Sequence, residues 1–121
     1  MLTKQAFVDR KPVVKQVQIP EWDDFVYIKK MSAGERVQLM KNTTKIEGTE
    51  IGLDEKNFMD SIVRTVQMVL CDDKGERLFD NSEDDFEILN SKDGMILEKI
   101  FYEVMNFNGL GVESEKEAIK N

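Results

Sequence analysis

Histidine is absent from the 121 residues, and cysteine occurs once, at Cys71. Without histidine there is no Ser-His-Asp or Cys-His nucleophile pair, no imidazole zinc ligand and no imidazole pH switch. One cysteine excludes an intramolecular disulfide and a Cys-cluster zinc site, and it suits a reducing compartment. Apolar runs are short, none longer than four residues, as in Phe25-Val26-Tyr27-Ile28. A membrane-spanning helix needs about 20. The opening Met-Leu-Thr-Lys-Gln-Ala-Phe also lacks the apolar stretch of a secretion signal. Neither a membrane partner nor export is therefore expected. Basic charge is in deficit, 17 Lys and Arg against 24 Asp and Glu, for a net −7. The deficit is uneven. Residues 1–70 carry 11 basic and 10 acidic side chains (+1), and residues 71–121 carry 6 and 14 (−8). Sequence-independent nucleic-acid binding needs a basic footprint, and the second half has the opposite.

What is present fits one small core. Hydrophobic residues make up 40% and charged residues 34%, with both signs interspersed, a globular composition at single-domain length. Thr3 reads as an N-cap, with Leu2 and Phe7 at hydrophobic-staple spacing around it, so a short helix is expected from Lys4 to about Asp9. Val13 to Ile19 reads as a strand with Val13, Val17 and Ile19 on one face and Gln16 and Gln18 on the other. Pro20 stops it, Glu21 to Asp24 supply turn chemistry, and Phe25 to Ile28 form a second strand. The pair is a hairpin that must pack on helices or on another chain to be stable.

Ser32-Ala33-Gly34-Glu35 is a capping box. It opens a helix to about Asn42, with Val37, Met40 and Leu39 as its apolar side. Thr43 to Leu53 reads as a loop. Asp54 is placed to cap a longer helix, in which Phe58, Met59, Ile62, Val63, Val66, Val69 and Leu70 keep helical phase; the β-branched end, Thr65 to Leu70, also suits a strand, and the unbroken phase favours helix. Asp72 to Gly75 is a turn, and Glu76 to Phe79 is a short extended piece. Ser82 caps a short acidic helix to about Leu89. Asn90-Ser91 opens the last helix, whose apolar face is Ile96, Leu97, Ile100, Phe101, Val104 and Met105, with Phe107 just off it. Asn108-Gly109 is a C-cap signal, with Leu110 available to fold back. The expected architecture is α+β: a small N-terminal β-hairpin packed on three to four helices, with helix predominating. Residues 1–111 form one domain, and 112–121 read as a charged, disordered tail.

Candidate chemistry is thin. With Gly75 set at position 6 of a calcium loop, Leu70, Lys74 and Asn81 occupy three of the four other ligand positions, and the match fails. Glu83, Asp84, Asp85 and Glu87 crowd one helix turn, where they suit the helix dipole better than an opposed catalytic pair. Gly109-Leu110-Gly111 lacks the lysine and following helix of a phosphate loop. No catalytic residue, metal site or cofactor is expected. Methionines are adaptable apolar contact residues as well as core fillers. Met59, Met68 and Met105, with Phe107 and with Trp22 in Pro20-Glu21-Trp22, are the candidate partner-binding residues.

The order of the motifs carries a resemblance. Val17-x-Ile19-Pro20-Glu21-Trp22 leads into Val26-Tyr27-Ile28 and then Ser32-Ala33-Gly34-Glu35-Arg36. A helix runs into Val69-Leu70-Cys71-Asp72-Asp73-Lys74-Gly75-Glu76-Arg77-Leu78-Phe79, and the close is Leu97-x-x-Ile100-Phe101 and Asn108-Gly109-Leu110. Over residues 17–110 this resembles the tail assembly chaperones of long-tailed phages and prophages. It departs from the family pattern at Asp23-Asp24, where a glycine is usual, and in a looser Asp80 to Asp84 segment.

The resemblance implies a non-enzymatic assembly factor in the bacterial cytoplasm, absent from the finished virion. It would bind the tape measure protein, keep it soluble and help recruit the major tail tube protein. Many such chaperones have a frameshifted longer form, and the charged end from Glu113 to Asn121 suits such a junction. The client groove would be formed by helix 54–70 and helix 92–107. Two other readings stand beside this one: a structural tail or connector protein, self-associating through the hairpin edge, and an acidic DNA mimic that inhibits a nuclease.

Overall fold

The computed structural model describes residues 1–47 and 55–110, with side chains described over 1–41 and 57–110. The chain opens with helix α1, Lys4–Asp9, where the Thr3 side chain accepts the Ala6 N–H at 3.2 Å. Strand β1, Val14–Ile19, is joined to β2, Asp24–Lys29, by one 3₁₀ turn at Pro20–Trp22 and by Asp23. Asp23 has φ 50°, a left-handed conformation that aspartate tolerates better than most side chains. That tolerance explains how the turn closes without a glycine. Val17 pairs with Val26, and Ile19 with Asp24. Val17, Ile19 and Ile28 are buried, whereas Val13 lies just outside the strand and is exposed.

The sheet is larger than the expected hairpin. Helix α3, Glu55–Val69, ends one residue before its apolar stripe does, and Leu70–Cys71 form a third strand, β3. The strand order is β1-β2-β3, all antiparallel, with Ile28 opposite Leu70 and Tyr27 opposite Cys71. Leu70 is thus a strand residue, not the last of the helix. The Leu70 carbonyl accepts the Leu78 N–H at 3.0 Å, and Cys71 bridges Arg77. Between them Asp72 accepts N–H groups from Lys74 (2.8 Å) and Glu76 (3.0 Å). Gly75 has φ +84°, a region where a Cβ is strained.

Helix α2, Ala33–Glu47, starts at the capping box: Ser32 Oγ accepts the Glu35 N–H at 3.1 Å, and Glu35 Oε1 accepts the Ser32 N–H at 2.8 Å. The helix runs past Asn42, so the first part of the expected loop is helical. Residues 48–53 of that loop and the Asp54 cap lie outside the described residues. The apolar side also differs. Leu39 is buried, and Val37 and Met40 are exposed. Glu35 and Leu39 lie one turn apart on the same face, and the Lys29 ammonium draws Glu35 inward at 2.5 Å. That contact sets which face turns to the core.

Helix α4, Glu83–Asn90, is capped by Ser82, which accepts the Asp85 N–H at 3.1 Å. Buried Gln67 donates to the carbonyls of Asp80 (2.6 Å) and Ser82 (3.1 Å) and ties the start of α4 to α3. Helix α5, Gly94–Phe107, is opened by Asp93, not by Asn90-Ser91. Ser91 is the C-cap of α4, and Asp93 accepts the Met95 N–H at 2.9 Å. At its far end Leu110 N–H donates to the Met105 carbonyl (2.8 Å) and Gly109 N–H to that of Asn106 (3.1 Å). With Gly109 at φ +74° this is a Schellman closure. Helix predominates over strand among the described residues, and the fold is α+β. The expected tail at 112–121 lies outside the described residues.

Ile62, Val66, Val69, Ile100 and Val104 sit in the core between α3, α5 and the sheet. Ile100→Ala should lower the unfolding free energy by about 2–5 kcal/mol, measured by urea denaturation. The Lys29–Glu35 pair makes a pH prediction. Burial raises the Glu35 pKa, but hydrogen bonds and charge from Lys29, with the Ser32 contacts, outweigh it and hold the carboxyl below its ordinary 4.5. A depressed folded value stabilises the fold above 4.5, and that contribution is lost as pH falls through the folded value. Glu35→Gln should cost about 3 kcal/mol at pH 7, because it leaves Lys29 buried without its counter-ion. The gap from wild type should close below pH 4.5 in a urea series across pH.

Candidate binding surface

The acidic residues are occupied in shaping the backbone. Asp85 accepts the Asp80 N–H and Asp80 accepts the Ser82 N–H, each at 2.8 Å. The Ser82 hydrogen bonds hold the Asp80 carboxyl below its usual value, and the Glu76 and Lys74 N–H groups do the same for Asp72. These are turn and cap contacts, which fix local geometry. Among the described residues no group of three or more acidic or cysteine side chains is placed to hold a metal ion. Among them, too, no helix is long and apolar enough to cross a membrane. Cys71 is buried, and burial pushes its thiol up, away from the reactive thiolate.

The five sequence-derived contact residues fall in different places. Trp22 is exposed on the hairpin turn. Met68 is only 4% exposed and belongs to the core, so in this conformation it offers no surface. Its place in the sequence, between Gln67 and Val69, explains the difference. The end of α3 is covered on both flanks, by α4 through Gln67 and by the sheet through Leu70. Met105 and Phe107 are half-buried near the end of α5. The Lys30 ammonium lies 4.3 Å from the Phe107 ring centroid and donates to the Phe107 carbonyl. Phe107 therefore anchors α5 to the strand end.

Met59 is half-buried near the start of α3, and its methyl lies 3.6 Å from where a Cβ on Gly94 would stand. That contact brings together the first turns of α3 and α5. Beside it in sequence are Phe58, 38% exposed, and Met95, 79% exposed. Tyr102, also exposed, is seven residues beyond Met95 and so on the same helical face. Phe58 keeps the phase of the α3 stripe yet lies at its exposed margin, and Tyr102 lies outside the apolar face of α5. The Met95-to-Tyr102 spacing, one position off the Ile96–Ile100 stripe, is the signal that separates a second apolar face from the buried one.

A family model described as phage tail assembly chaperone matches residues 4–121. Among solved structures, the bacteriophage HK97 tail assembly chaperone matches with a TM-score of 0.61 at 17% identity, covering 84% of this chain and 94% of that chain. At that identity the likeness is one of fold. A search of curated proteins found no match. The burial contrast among the methionines gives a direct check. Met68→Ala should lower stability by about 2–5 kcal/mol, and Met95→Ala should change it by less than about 0.5 kcal/mol, both read from urea midpoints.

Proposed function

Because the chain belongs to the phage tail assembly chaperone family, we propose that it captures the tape measure protein of the same phage or prophage and keeps it soluble until tail tube assembly. The observation that carries this reading is the family match over residues 4–121. The contact surface we assign is the joined start of α3 and α5, where Met59 meets Gly94 and Phe58 and Met95 face outward. A holdase needs exposed apolar side chains that adapt to a helical client, and methionine and phenylalanine supply both area and flexibility. It also needs charge to stay soluble while loaded, and the −7 net charge provides that.

In this role the protein acts by binding, in the host cytoplasm, and leaves before the particle is complete. The major tail tube protein is the second partner, recruited once the client is held. Mass spectrometry of purified virions should find no peptide of this chain. Finding it there in stoichiometric amount would favour a structural tail component.

Co-expression with the tape measure protein encoded nearby, followed by affinity pull-down and size exclusion, tests the capture itself. The client should become soluble and co-elute. Phe58→Asp with Met95→Asp should reduce the recovered client by at least about tenfold, since each places a charge where apolar area is buried. Unreduced capture by the folded double variant would move the surface elsewhere, and an insoluble client beside a free chaperone would contradict the function.

A further inference from the structure

Gly75 and Gly109 are fixed by their backbone, at φ +84° and +74°, where a side chain is strained. Gly94 is not. It is the first residue of α5 and has no positive φ. A Cβ there would stand 3.6 Å from the Met59 methyl, an ordinary contact. Among the described residues, apart from α5 itself, it would meet no other heavy atom within 4 Å. Neither backbone nor packing therefore calls for glycine at this position, and a helical glycine costs stability relative to alanine. Gly34, at the start of α2, is also free of positive φ, but it is exposed and adjoins only Ser32. Gly94 is half-buried between two helices.

Its surroundings are apolar. Phe58 and Met59 on α3, with Gly94 and Met95 on α5, frame a hole whose floor is the bare Gly94 backbone. One turn further along each helix, Ile62 and Leu97 belong to the buried core. The Asp93 carboxylate already caps this helix start by accepting the Met95 N–H at 2.9 Å, and its charge repels an anionic side chain. Glycine lets a second backbone approach closely. A side chain on one helix seats as a knob in a hole framed by four residues, and the two methionines are walls that adapt to its shape.

We propose that Gly94 is left bare to receive one large apolar side chain, of leucine or phenylalanine size, from a helical client, seated between Met59 and Met95. Such a seat presupposes the client surface assigned above, and it makes that surface selective. Phe58, Met59 and Met95 offer an entering side chain no strong hydrogen-bond partner, so a polar side chain would lose its water without replacement. An apolar one gains contact on every wall. The client segment is thus chosen by a single anchoring residue as well as by its apolar face, and Gly94 is the specificity-determining position.

The probes are two amphipathic helical peptides that differ at one central position, leucine against asparagine, with binding to the full chain read by fluorescence anisotropy. The leucine peptide should bind the wild-type chain at least about tenfold more tightly. Gly94→Leu fills the hole from within and should bind both peptides alike. Gly94→Ala should raise the urea midpoint and yet weaken the leucine peptide, a pair of opposite movements that a merely structural glycine does not give. Gly94→Leu combined with Met59→Ala makes room for the new side chain and should still bind both peptides alike. Discrimination regained there would trace the loss to a displaced Met59 and overturn the proposal. So would equal binding of the two peptides by the wild-type chain, failure of both to bind, discrimination that survives Gly94→Leu, or a urea midpoint lowered by Gly94→Ala. If Gly94→Leu unfolds the protein, Gly94→Ala decides, and unchanged affinity for the leucine peptide overturns the seat. Capture of the tape measure protein by a wild-type chain that binds both peptides equally would remove the seat and leave the chaperone reading standing.

Discussion

The structure depends on the burial of α3 on more than one side. Ile62, Val63, Val66 and Val69 are essentially inaccessible, and even Thr65 and Gln67 on the same helix are buried. A helix enclosed in this way must satisfy its polar side chains internally. Thr65 does so through the Ser61 carbonyl at 2.8 Å, and Gln67 through the carbonyls that precede α4. Hydrophobic burial supplies the drive, and these hydrogen bonds set the place where α4 begins. The helix then passes directly into β3, so the sheet and the helical layer share one continuous segment.

That continuity fixes the geometry of the outer surface. Leu70 pairs with Ile28 on β2, and Lys29 beside it holds Glu35 at the start of α2. From the same strand end Lys30 and Met31 reach the last turn of α5, where Met31 N–H donates to Asn108 at 2.7 Å and Arg36 to its carbonyl at 3.1 Å. Cationic side chains at a helix C-terminus also complement its dipole. With α5 held at one end by these contacts and at the other by Met59 against Gly94, Met95 and Tyr102 are carried on a rigid helix. A binding surface on such a helix is already ordered before a client arrives, which lowers the entropy cost of capture.

Local signals were legible in the sequence, and non-local ones were not. Thr3, Ser32 and Ser82 each cap a helix as their spacing predicts, because a cap is made by residues three apart. The αL position at Gly109 and the turn at Gly75 are local in the same way. Leu70 has the helical phase of α3 and also closes a β-branched stretch compatible with strand, and its partner 42 positions away at Ile28, which no local window contains, decides for strand at that residue. Leu39 displaces Val37 and Met40 from the core for a similar reason, since Lys29 on β2 orients the helix. Among the candidate contact residues the same limit applies. Met68 and Met95 are chemically identical, and only the elements packed around them make one a core residue and the other a surface one.

The proposed client surface is the joined start of α3 and α5. Hydrogen–deuterium exchange of the chain alone and with a soluble segment of the tape measure protein measures this directly. Binding there should slow exchange in the peptides that span Phe58–Asp60 and Met95–Leu97. Protection confined to the hairpin or to α4, or no change on binding, would contradict it.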